Sequence, residues 1–162
     1  MLLQGVSRWF ASAAIAWTAA LCGTGQAGEL PRIHVIYMGG DDCPPCVAWR
    51  ANELPKLQKS EIFKSVRFTF VVKSIRSPVP STMFLPADVV PYKEKLDRAS
   101  DRRAGSPHFA ILVDDEVYDY YFGTRSSEQM VHMLSAVLHR EPYPFTRCLR
   151  LGTGGRCAER IE

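Results

Sequence analysis

Residues 32–57 read RIHVIYMGGDDCPPCVAWRANELPKL. Arg32 to Met38 is rich in β-branched and aromatic residues, the composition of a strand, and Gly39-Gly40-Asp41-Asp42 ends it. From about Cys43 the spacing changes to that of a helix, with Val47, Ala51, Leu54 and Leu57 in register for one apolar face. Pro55 has no amide N–H, so it should kink or end the first part of that helix. Two cysteines, two residues apart, thus fall where a strand passes into a helix. The first turn of a helix has unsatisfied N–H groups and a partial positive charge, which favour a sulfur there as thiolate. Thiolate is the attacking species in disulfide exchange. Cys43 is therefore the expected exposed nucleophile, and Cys46, one turn further in, the resolving thiol.

Working outward, Val66 to Ile75 reads as a second strand with Phe68, Phe70 and Val72 on one side. Residues 76–105 hold Pro78, Pro80, Pro86 and Pro91, then a charged run from Tyr92 to Arg103 that predicts a helix carrying Leu96 inward. Phe109 to Val113 and Val117 to Phe122 flank Asp114-Asp115-Glu116 as a hairpin. Ser126 and Gln129 have capping-box spacing and open a helix with Met130, Leu134, Val137 and Leu138 on one face. From Glu141 onward no period is visible, and an irregular tail pinned by Cys148–Cys157 is expected. Strand, helix, strand, helix, strand, strand, helix is an α/β order: a mixed central sheet of about four strands flanked by helices, parallel early and antiparallel late.

The chain has 162 residues, 46% of them hydrophobic, enough for one domain with a real core. Its formal charge of +3 is too near balance to argue for a polyanion partner. Arg98, Arg102, Arg103, Arg147, Arg150, Arg156 and Arg160 lack the aromatic or motif context of a nucleic-acid site and read as solvated surface. At the amino end, Arg8 precedes an apolar stretch from Trp9 to Leu21 and a small-residue exit at Gly25-Gln26-Ala27, the form of a secretory signal cleaved after Ala27. Lipid attachment at Cys22 and an uncleaved anchor are the alternatives. Cleavage leaves Cys43, Cys46, Cys148 and Cys157, which in an oxidising compartment suggest two disulfides. Local pairing needs no special topology, although pairing across the two groups is open.

Several of these residues resemble the thioredoxin superfamily. Cys43-Pro44-Pro45-Cys46 matches its CxxC motif with proline before the second cysteine. Gly105-Ser106-Pro107 precedes a strand where that family has a cis-proline facing the dithiol, and Tyr121-Phe122-Gly123 looks like its glycine after the final strand. The resemblance covers about residues 32–140. It implies a thioredoxin-like fold over 28–140, with residues 1–27 as signal, an insert at about 76–105 and a tail at 141–162. It also implies Pro107 as the cis-proline, Ser106 offering backbone groups to an extended substrate strand, and protein thiols or disulfides as partners. A reductase outside the cytoplasm needs electrons, so a membrane thiol-relay donor is implied as well. The chain departs from the pattern at Asp42, where the family has tryptophan, and at Tyr37, where it has a buried acid. The stretch between Cys46 and Pro107 is also longer than in a minimal member.

Metal binding is the weaker reading of the pair. Copper-handling relatives of this fold space their cysteines by three residues, and a structural zinc site wants two further ligands that Cys148 and Cys157 do not supply at matching spacing. No cofactor is expected. A purely structural Cys43–Cys46 bond would close too small a ring to remove much chain entropy. Pro44 and Pro45 lack N–H groups, so only the Cys46 amide can point at the Cys43 sulfur, and Asp41 and Asp42 oppose a thiolate by repulsion. A poorly stabilised thiolate makes the reduced form the better electron donor. The expected function is periplasmic or secreted thiol–disulfide exchange in the reducing or thiol-transfer direction, with contact to the membrane only during export. The alternative is a non-catalytic binding module with a permanent disulfide. Cys148–Cys157 reads as structural, with a second redox pair as its alternative. His108 and Lys73 are candidates for steering protons near Cys43, although a histidine at a strand start is more often surface. Trp49 is expected to pack against the insert.

Overall fold

The computed structural model describes residues 29–161; the signal expected over residues 1–27, and Cys22 with it, lie outside them. β1 (Ile33–Gly39) and β2 (Val66–Val72) are parallel, joined by a crossover of three short helices, α1 (Pro44–Asn52), α2 (Leu54–Gln58) and α3 (Glu61–Lys64). Two 3-10 turns at Thr82–Phe84 and Val90–Tyr92 lead into α4 (Lys93–Ser100). β3 (His108–Val113) and β4 (Glu116–Phe122) form a hairpin, and β3 pairs antiparallel with β1. Asp114 and Asp115 both take positive φ at the turn, the requirement of a two-residue hairpin loop matched to strand twist. α5 (Ser127–His139) closes the sheet β2-β1-β3-β4 behind a complete Ser126/Gln129 capping box.

Alternation along the strands divides the interior in two. Val35, Tyr37, Phe109 and Ile111 face Trp49, Leu57, Met130 and Leu134 of the helices on one side. Ile36, Met38, Ala110 and Leu112 face Val79, Leu85, Val89 and Leu96 on the other. Residues 76–105 thus supply the second half of the core, because without them the apolar reverse of β1 and β3 would meet water. β2 is an edge strand. Phe68, Phe70 and Val72 do share a side, but among the described residues no strand lies beyond β2, and Val72 is 77% exposed.

Two local expectations are corrected, while the break expected at Pro55 is present. α1 buries Cys46 and Trp49, while Val47 and Ala51 face out. The chain breaks at Glu53 ahead of Pro55, so Leu54 and Leu57 belong to a new helix whose register does not extend back. Trp49 packs on the sheet, not on the insert: it stacks on Tyr37 and Phe68, meets Phe109 edge-on, and its Nε1 donates to the Arg125 carbonyl at 2.7 Å. The insert is on the opposite face.

The tail is not irregular. β5 (Arg147–Leu151) and β6 (Cys157–Ile161) form a second, two-stranded sheet crossed by the Cys148–Cys157 disulfide. Its ladder has register shifts and little strand-like composition, so the period was invisible in the sequence. Tertiary contacts hold it instead. Cys148 and Leu151 are buried against α4 and β4, and Asp119 inside β4 accepts from the Cys148 amide and the Tyr143 hydroxyl, both at 2.9 Å. Burial pushes the Asp119 carboxyl up, and those two donors work against that shift. Replacing both tail cysteines by serine is expected to lower stability by roughly 2.5–3 kcal/mol, from the entropy of the loop it frees. Melting temperature and disulfide-reduction rate check this together: turnover stays unchanged if the bond is structural and falls if it relays electrons. Among the described residues no helix is long and apolar enough to cross a membrane.

Candidate active site

The parallel ladder pairs Gly39 with Val72, and the antiparallel ladder ends at Met38–His108. Pro107 therefore lies across from Gly39, at the end of the sheet where β1 gives way to α1. The Ser106–Pro107 peptide bond is cis, and Gly123 donates to the Pro107 carbonyl at 2.9 Å. A Cβ on Gly39 would sit 2.9 Å from Cys46 Sγ. Glycine lets the cysteine pair settle onto the strand, with Val72 on one flank and Pro107 on the other.

Cys43 and Cys46 are disulfide-bonded. Cys43 is the N-cap of α1, with extended backbone, and its sulfur accepts the Cys46 amide at 3.3 Å. Pro44 and Pro45 hold the first helical positions, so no other first-turn amide comes from the intervening residues. The expected exposure of Cys43 is corrected. Both cysteines are 0% exposed, while Pro44, Pro45, Asp41 and Asp42 face solvent around them. The cause is the cap itself: closing the ring and receiving the Cys46 N–H both turn the Cys43 sulfur inward.

The two acids before the pair are already engaged. Asp42 accepts from Ser74 Oγ at 2.6 Å and from the Ile75 amide, and the Ser74 hydroxyl in particular holds its carboxyl below the usual range. Asp41 is ion-paired with Arg50. Asp42 is held ionised by its hydrogen bonds from Ser74 and Ile75, with the Lys73 ammonium acting on it, and Arg50 offsets the charge of Asp41.

Lys73, at the end of β2, is buried and donates to the Gly105 carbonyl, two residues before Pro107. Burial pulls its ammonium down to about 8, against the opposing pull of Asp42. It tethers the loop that carries the cis-proline. His108 is neither surface nor beside Cys43. It is 1% exposed and shares a face with Ala110 and Leu112, away from α1, with Nδ1 2.7 Å from the Tyr120 hydroxyl. Strand alternation decides this, since Phe109 takes the α1 side. Burial, reinforced by Lys73, pulls the imidazole down to about 3. On that side a cleft of about 510 Å³ opens between Arg103, His108, Phe122 and the tail glycines 154 and 155. Ser106 is buried, with its hydroxyl donating to the Met38 carbonyl at 3.3 Å, and it lies just beyond the last β1–β3 pair.

Sequence reasoning missed Arg50 and the use made of Tyr37. Tyr37 was legible only as a missing acid, and Arg50 stood in a helix with nothing to mark it.

No protein family and no curated protein matches the chain. Among solved structures it is similar to the periplasmic thioredoxin SoxS from Paracoccus pantotrophus in its reduced form. The two share 14% sequence identity with a TM-score of 0.43, over 67% of this chain and 98% of that one. What places the chain is its own topology: a parallel β1–β2 pair crossed by helices, an antiparallel β3–β4 hairpin and a closing helix give it a thioredoxin-like fold, with the Cys43–Cys46 pair at the head of α1.

Proposed function

We propose that the protein is an exported thiol–disulfide oxidoreductase acting on protein thiols and disulfides, working in the reducing or thiol-transfer direction. The observation that carries this reading is the bonded Cys43–Cys46 pair at the start of α1, with the Cys46 sulfur against Gly39, the residue that the β1–β3 register sets opposite Pro107. In the reduced form, Cys43 attacks a substrate disulfide and Cys46 resolves the mixed disulfide. An extended substrate strand lies along Ser106 and Pro107, where the β1–β3 ladder has ended and the backbone is no longer paired to β1. The pattern of residues 1–27 supports export, and a membrane thiol relay would then supply electrons.

Direction follows from how poorly the Cys43 thiolate is held. One amide reaches the sulfur, the prolines contribute none, and Asp42 adds a nearby negative charge. That single amide works with the helix dipole to hold the thiolate, whereas the missing proline amides and the Asp42 charge weaken the ionised reduced form. Equilibration with glutathione is expected to give a midpoint well below the roughly −120 mV of a strong oxidant. A value that high would reverse the direction.

The enclosure of Cys43 favours a second reading, a binding module whose disulfide is permanent. A disulfide-reduction assay on wild type and Cys43→Ser separates the two: equal rates at background leave only binding.

A further inference from the structure

Beneath the cysteine pair, on the same side of β1, lies a phenol. Tyr37 is fully buried, stacked on Trp49 at 5.1 Å and edge-on to Phe70 and Phe109. A Cβ on Gly39 would be 2.6 Å from the Tyr37 hydroxyl and 2.9 Å from Cys46 Sγ, so the two atoms crowd one point. In the disulfide state the hydroxyl donates only to the Cys46 carbonyl, at 3.4 Å, the long and weak end for an O–H donor. A buried donor with a poor acceptor therefore shares the space over Gly39 with a sulfur to which it makes no hydrogen bond in the disulfide state, and that sulfur becomes a strong acceptor once reduced and ionised. Among ionisable groups, Arg50 and Asp41 bear on this hydroxyl; its neighbours on β2 and β3 are the phenyl rings of Phe70 and Phe109. Arg50 is ion-paired outward to Asp41, whose side chain is 92% exposed.

We propose that the Tyr37 hydroxyl is the hydrogen-bond donor to the Cys46 thiolate in the resolving step, with Arg50 and Asp41 continuing the line from that hydroxyl to the surface. This rests on the oxidoreductase reading. A carboxylate at this depth would take the Cys46 proton as a base. A phenol kept protonated by burial, against the opposing pull of Arg50, cannot, but it can stabilise the anion left behind. In the step itself the Cys46 thiol gives its proton to solvent and its sulfur attacks Cys43 Sγ in the mixed disulfide. The Cys43–Cys46 bond forms, the bond to the substrate sulfur breaks, and the substrate leaves as a thiolate that takes up one proton. The pair is oxidised and the substrate reduced by the same two electrons.

The test titrates Cys46 alone, in a Cys22→Ser, Cys43→Ser background with the tail bond intact, by the carbon-13 shift of its labelled Cβ. Tyr37→Phe keeps the stacked ring and is expected to raise the Cys46 pKa by about one unit, a tenfold loss of thiolate at a given pH. Arg50→Gln leaves the aromatic packing untouched and is expected to raise it by a smaller amount, so it decides the matter should Tyr37→Phe not fold. A Cys46 titration unmoved in the folded variants overturns the assignment while wild-type disulfide reduction leaves the redox reading standing. Background rates in the wild type overturn both.

Discussion

Cys43→Ser is expected to reduce disulfides no faster than the external reductant alone, a loss of at least about three orders of magnitude against a wild type that works as proposed. The oxygen can neither form the mixed disulfide nor ionise at working pH. The fold is expected to survive intact, because Cys43 is an N-cap whose side chain accepts the Cys46 amide, and serine is among the best residues for that bond. A lost rate with an unchanged melting curve, apart from the contribution of the missing disulfide, therefore reports chemistry. Cys46→Ser should behave differently: it retains the attacking sulfur and lacks the resolving one, so mixed disulfides with substrates accumulate and are visible on non-reducing gels. The enclosure of Cys43 gives this comparison its force. If the disulfide never opens, wild type and both variants share one background rate, and the binding module is what remains.

Acidification is expected to destabilise the protein well before its carboxylates titrate. The unfolded chain binds a proton at His108 below its ordinary 6.5, whereas the folded site, buried against Tyr120 with Lys73 nearby, refuses it until about 3. Between those values the unfolded state carries more protons, so stability is fully present above 6.5 and drains away as pH falls. Each unit is worth up to about 1.4 kcal/mol, so from pH 6.5 to 4.5 the loss is on the order of 2.5 kcal/mol. His34, which burial also pulls down, acts in the same direction. Urea midpoints at the two pH values for wild type and His108→Gln isolate the His108 share. Gln can still bond Tyr120 but carries no titrating proton, so its slope should be flatter by about that amount. Parallel slopes would mean that the folded site accommodates an imidazolium.

Much of this chain could be read without coordinates because its signals are local. Strand composition before Gly39, the cysteine pair at the strand–helix passage, the Ser126/Gln129 cap and the hairpin around Asp114-Asp115-Glu116 each depend on neighbours a few residues away. The element order followed from them, and with it the mixed sheet. The expectation for Val47 and Ala51 failed because α1 turns Cys46 and Trp49 inward, and its register does not continue that of Leu54 and Leu57 past the expected break; that for Trp49 failed because nothing in its neighbourhood says which side of the sheet it meets.

The sequence by itself determined the order of the strands and helices and the place of the dithiol, since backbone propensity, caps and turn chemistry act over short spans. Only the tertiary structure decided which groups stand beside that dithiol. Alternation along β3 sends His108 away from it, the register of β1 brings the Tyr37 hydroxyl beneath Cys46, and a buried carboxylate at Asp119 draws the tail into a second sheet. Those placements depend on contacts between residues far apart in the chain, and no local pattern records them.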